Sequence, residues 1–128
     1  KHEIFRQKPP KSFDRNDFHH LLMIIEKLNL PDALATLCYI HASSIRINLE
    51  FLSQKPREIF ICGGGRKNIA LIDEMKKQMP DISIKMIEEI GLNGDAIEAE
   101  AFAFLGIRDD LGLPVGLPKT TGAKLVKG

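Results

Sequence analysis

Cysteine is scarce in this chain, and both long apolar runs and an excess of either charge are missing. Cys38 and Cys62 have neither CxxC spacing nor a nearby His/Cys cluster, which speaks against a zinc site or a dithiol redox centre. Each lies in an apolar stretch, so both are expected to be buried free thiols, in keeping with a reducing cytosol. Apolar runs such as "LLMII" are far shorter than the roughly 20 residues needed to cross a bilayer. Lys plus Arg number 18 against 17 for Asp plus Glu, so the balance implies neither nucleic acid nor an anionic membrane as partner. The opening "KHEIFRQKPPK" has no h-region and is not a signal peptide. It also lacks an initiator Met, which suggests a processed chain or a piece of a longer one.

What is present suits one domain over residues 1–128, with an extended lead-in at 1–15 and an irregular tail at 113–128. Pro9-Pro10 forbids a helix in the lead-in. An Asx cap at Asn16 or Asp17 predicts a first helix through "FHHLLMIIEKL". Pro31-Asp32 opens a second, whose apolar residues Leu34, Leu37, Cys38, Ile45, Leu49 and Leu52 recur at helical spacing. "EIFIC" reads as a strand buried on both faces, and "DISIKMI" as a second strand with Ile82, Ile84 and Met86 facing one way. Between them Ile69, Leu71, Ile72 and Met75 mark a helix that stops at Pro80. Strand, helix and strand make a βαβ unit with a parallel pair and a right-handed crossover. A last helix is expected from about Asp95 to Asp109. Two strands are too few for a stable parallel sheet, so the chain looks incomplete.

Gly63-Gly64-Gly65 sit between the first strand and the helix after it. Such a turn is either a tight structural corner or a place where a ligand meets the main chain, near the positive end of a helix. Arg66 and Lys67 follow at the helix start, where cations oppose the dipole and a nearby anion explains their tolerance. The turn is neither GxGxxG nor GxxxxGK[ST], so Rossmann and P-loop mechanisms lack support. In "EIGLNGDAIEAEAFAFLGIRDDLGLP", Asp95 and Glu98 either stabilise the helix dipole or present a carboxylate to sugar hydroxyls. Ala99, Ala103 and Gly106 form a nearly bare helix face that admits another helix or a ligand. His19 and His20 are adjacent, point apart on a helix and cannot share a metal, and His41 stands alone, so all three read as ordinary surface or core histidines.

Four segments, "KPPKSFDRNDF", "DALATLCYIHASSI", "IFICGGGRKN" and "GLNGDAIEAEAFAFLGIRDDLGLP", with the closing "LPKTTGA", together resemble the C-terminal part of the anhydro-N-acetylmuramic acid kinase family. The resemblance implies an α/β fold: a partial actin-like, sugar-kinase (ribonuclease H-like) domain, helix-rich, with a βαβ unit. It implies an ATP- and Mg²⁺-dependent cytoplasmic kinase of peptidoglycan recycling. That enzyme opens 1,6-anhydro-N-acetylmuramic acid with water and phosphorylates its 6-oxygen, giving N-acetylmuramate 6-phosphate. By the same resemblance, Gly63, Gly64, Gly65 and Asn68 contact the nucleotide, and Glu98 contacts the sugar. One departure is "PKSFD", where Phe13 and Asp14 replace a small pair and put a ligand role for that loop in doubt. A larger one is that nothing here matches the family's phosphate loop or its catalytic aspartate. The chain alone is therefore expected to be inactive, and to need the missing N-terminal half of the kinase. The alternative is a non-catalytic remnant or self-associating binding module of the same fold. An unrelated nucleotide-binding α/β module leaves the later segments unexplained.

Overall fold

The computed structural model describes residues 5–12, 15–116, 118 and 122. Phe13, Asp14 and most of "LPKTTGA" lie outside the described residues. A 3₁₀ turn, Arg15–Phe18, leads into α1 (His19–Ile25). The expected Asx cap is not what starts this helix. Its N-cap is Phe18, with no side-chain cap bond, because the 3₁₀ turn already carries the chain into helical geometry. The next helix, α2 (Leu30–Leu49), is capped by Asn29, whose side chain accepts from the Asp32 amide at 3.0 Å. Pro31 lies in its first turn, where its missing N–H has no partner to lose.

The βαβ unit is present as expected. β1 (Glu58–Ile61) runs into a 3₁₀ turn, Gly64–Lys67, then α3 (Ile69–Gln78), then β2 (Ser83–Met86). The strands pair in parallel, with Ile59 opposite Ile84 and Ile61 opposite Met86. After β2 come a second 3₁₀ turn, Ile87–Ile90, and α4 (Ile97–Asp110). No helix among the described residues is long and apolar enough to cross a membrane.

The core is small and one-sided. Ala42 of α2 joins Leu71, Ile72 and Met75 of α3, and Met79 just beyond it. Around them lie Cys38, Ile45 and Leu49 of α2, Ile59 and Ile61 of β1, and Ile82, Ile84 and Met86. Ser43 Oγ to Gln78 Oε1 (2.8 Å) and Gln78 Nε2 to the Tyr39 carbonyl (3.2 Å) add polar stitches between α2 and α3. The buried stripe of α2 thus runs through 38, 42, 45 and 49. Leu34 and Leu37, expected on it, are exposed instead.

Two further expectations are corrected. "EIFIC" is not buried on both faces. None of β1 is fully buried: Ile59 and Ile61 pack against the core, whereas Phe60, paired in register with Lys85, is half-buried on the other face with the Lys85 ammonium 5.9 Å from its ring centroid. Lys85 also pairs with Glu58. Cys38, on α2, is only half-buried, and Cys62, just beyond the end of β1, is exposed.

The accessible surface is 9819 Å², against about 6,800 Å² for a compact monomer of this mass. α4 explains part of the difference. None of its residues is buried, and Phe102, Phe104 and Ile107 are all more than half exposed.

Candidate functional site

β1 delivers the chain to Gly63, whose φ of 69° lies in the left-handed region that favours glycine. Gly64 and Gly65 do not need that freedom. A Cβ at Gly64 would meet nothing within 4 Å, and one at Gly65 only Leu71 Cδ2 at 3.9 Å. These two exposed residues leave their main chain open to approach, which suits a nucleotide lying against the turn. Asn68 caps α3, its Oδ1 accepting from the Leu71 amide at 3.1 Å. Its Nδ2 faces Cys38 Sγ at 4.0 Å, so the side chain is held by α3 and α2 together.

The basic pair has its anion within the chain itself. Arg66 forks onto Asp95, Nη1 to Oδ1 and Nη2 to Oδ2, both at 2.8 Å. Its Nε donates to Glu88 Oε1 at 2.8 Å, and Nη1 also donates to the Gly63 carbonyl at 2.8 Å. Lys67 Nζ reaches Asp95 Oδ1 at 3.0 Å. The hydrogen bond to Asp95 leads in holding the Arg66 guanidinium above its ordinary value, with Glu88 adding to it. Arg66 and then Lys67 hold the Asp95 carboxyl well below the usual carboxylate range. Glu88 is lowered first by its own backbone amide and then by Arg66.

The expectation that Asp95 opens the last helix is therefore corrected. α4 starts at Ile97, and Asp95 is turned to the cations of the other glycine corner. The two corners also meet through the main chain, Gly63 N–H donating to the Gly94 carbonyl at 2.9 Å. Gly94 is buried beneath the Arg66 side chain. A Cβ there would lie 2.6 Å from Arg66 Nε and 2.7 Å from Glu88 Oε1. Glu98 lies exposed in the first turn of α4, three residues beyond Asp95.

Sequence reasoning thus placed Gly63–Gly65, Asn68, Arg66 and Asp95 in informative stretches but missed their linkage and missed Glu88. The available signal was a basic pair after one glycine corner and an acidic residue after another. Among the described residues, no group of three or more His, Cys, Asp or Glu is disposed to hold a metal ion. A cavity of about 780 Å³ lies elsewhere, lined by Phe5, Ile24, Tyr39, Ile40, Arg46 and Ile47 among others.

Comparison with known proteins bears on the whole chain. The profile of the family described as "Anhydro-N-acetylmuramic acid kinase" matches residues 1–127. An anhydro-N-acetylmuramic acid kinase of Roseobacter denitrificans is 41% identical over 124 residues, 97% of this chain and 33% of that protein. Anhydro-N-acetylmuramic acid kinase 1 of a Jannaschia species is 42% identical over 118 residues, 92% of this chain and 31% of its own. The Zymomonas mobilis protein of the same name is 38% identical over 120 residues, covering 94% and 32%. The chain spans about a third of the length of these curated relatives. With a family profile matched over 127 of its 128 residues, the chain belongs to the anhydro-N-acetylmuramic acid kinase family.

Proposed function

We propose that this chain supplies part of the nucleotide and sugar sites of an ATP-dependent kinase of cell-wall recycling, built on an actin-like sugar-kinase fold. The reaction is hydrolytic opening of 1,6-anhydro-N-acetylmuramic acid with phosphorylation of its 6-oxygen, giving N-acetylmuramate 6-phosphate. The observation that carries this reading is the family match over nearly the whole chain. The open main chain at Gly64 and Gly65 supports a nucleotide there, with Gly63 and Asn68 framing it. Glu98, exposed beside the Gly94 corner, is the carboxylate assigned to sugar hydroxyls.

Phosphoryl transfer rests on charges positioned around the transferred group, with Mg²⁺ among them. In this reading the phosphate loop, the water-activating aspartate and the metal ligands belong to the other two-thirds of a relative's length. No step is assigned to Mg²⁺ on this chain. The purified 128-residue chain, given Mg-ATP and the anhydro-sugar, is expected to give no phosphorylated product by mass spectrometry. Adding the separately expressed N-terminal two-thirds of the Roseobacter relative is expected to restore turnover. Turnover by the chain alone would overturn the division of labour.

A second reading has one observation in its favour. The two-stranded sheet and the exposed apolar residues of α4 leave surface of the kind that self-associates. A stable homodimer that neither binds Mg-ATP nor responds to the complementary segment would favour that non-catalytic module.

A further inference from the structure

α4 buries none of its own residues, yet it carries Glu98 and must hold a fixed place if the two corners are to form one site. Among the described residues, hydrophobic burial contributes little to that place. Polar links contribute more. Three segments meet at one side chain: its own turn after β1 through the Gly63 carbonyl, the turn after β2 through Glu88, and the approach to α4 through Asp95.

We propose that Arg66 is a positioning residue that clamps the glycine turn after β1 to the Gly94–Asp95 approach of α4. Through that clamp it sets the affinity of the turn for nucleotide. The second clause rests on the functional reading above; the first stands on the geometry alone.

The physical grounds are specific. Exposed ion pairs ordinarily contribute little, but the Arg66 side chain is only 9% exposed and its contact with Asp95 is a two-pronged fork. A planar guanidinium presents five donors in a fixed arrangement, which an ammonium cannot reproduce. The guanidinium lies across Gly94, whose lack of a Cβ is what admits it. Gly63 is consequently held through both of its backbone groups, its N–H donating to the Gly94 carbonyl and its C=O accepting from Arg66. Lys67 joins only Asp95 and is mostly exposed, so it reinforces one arm of the clamp without spanning the three segments.

Amide hydrogen exchange, followed by NMR on the full 128-residue chain, reads the clamp directly. In Arg66→Ala, exchange at the Gly63 amide is expected to rise at least tenfold while the Met75 and Met79 amides of the core keep their rates. Arg66→Lys should fall between, and Asp95→Asn should move Gly63 in the same direction with Arg66 still in place. Unchanged exchange at Gly63 in Arg66→Ala and Asp95→Asn overturns the clamp. A uniform rise at every amide in both variants also overturns it, since the side chain then acts on global stability. Calorimetric titration with Mg-ATP tests the second clause. If the wild-type chain binds, Arg66→Ala should weaken binding at least fivefold, and unchanged affinity overturns the link to nucleotide. If the wild-type chain does not bind alone, the titration is repeated with the N-terminal two-thirds of the Roseobacter relative present; no binding there either, with the exchange pattern kept, leaves the clamp standing and overturns the nucleotide reading.

Discussion

Met75 is the largest fully buried side chain, 1% exposed, and the centre of a core that contains only five buried residues among those described. Replacing it by Ala removes three heavy atoms, a transfer loss of about 2 kcal/mol at roughly 0.8 kcal/mol per methylene-sized group. A residual cavity adds to this, and Met→Ala changes in protein cores span about 2–5 kcal/mol. Here the surrounding shell consists of half-buried residues such as Ile45, Leu49 and Ile84, which are free to shift inward. The expected cost is therefore in the lower part of that range, about 2–3 kcal/mol. Against a whole stability of about 5–15 kcal/mol, that is a large share. The chain has no Trp, so urea unfolding followed by far-UV circular dichroism is the suitable assay. Met23→Ala, at a side chain 65% exposed in α1, is the control and should fall within about 0.5 kcal/mol of wild type. A Met75→Ala cost equal to that of the control would refute the placement of the core between α2, α3 and one face of the sheet.

Gly63→Ala should cost about 1–2 kcal/mol in the same assay, because the native φ is left-handed. Gly64→Val should leave stability within about 0.5 kcal/mol, there being open space at its Cβ, yet abolish any calorimetric Mg-ATP binding. Asn68→Ala removes the cap of α3 and is expected to cost about 0.5–2 kcal/mol; a melting temperature equal to wild type would count against the cap. Asp95 has a folded-state pKa below its unfolded value of about 3.9. Its contribution is then complete above that value and fades as pH falls through the lower folded value. Arg66 is raised, so its contribution holds at every pH below its unfolded value and does not change in acid. The gap in melting temperature between wild type and Asp95→Asn should accordingly be constant from pH 7 to about 4 and narrow below it. A gap that persists unchanged to pH 2 would show that the ion pair is not its source.

The elements that sequence made legible are those governed by local rules. Pro31, Pro80 and the 3.6-residue spacing of Leu71, Ile72 and Met75 located α2 and α3, and the alternation of Ile82, Ile84 and Met86 located β2 and its inward face. Where two local signals competed, the reading erred. Asn16 and Asp17 resembled a helix cap, but a 3₁₀ turn had already begun, and Asn29 was the residue that capped its helix. The continuous apolar run of "EIFIC" implied a strand buried on both faces, whereas none of β1 is fully buried and only Ile59 and Ile61 of it pack against the described core.

By itself, then, the sequence determined the βαβ unit, the bounds of its helix and the family to which the chain belongs, because periodicity, proline geometry and motif order are written in neighbouring residues. Only the tertiary structure decided what the basic pair and the acidic residue do. Arg66 and Asp95 are 29 positions apart, and a dipole argument at either helix end gave each a separate role. The parallel pairing of β1 with β2 carries their two following turns to the same end of the sheet, where opposite charges with a glycine between them meet.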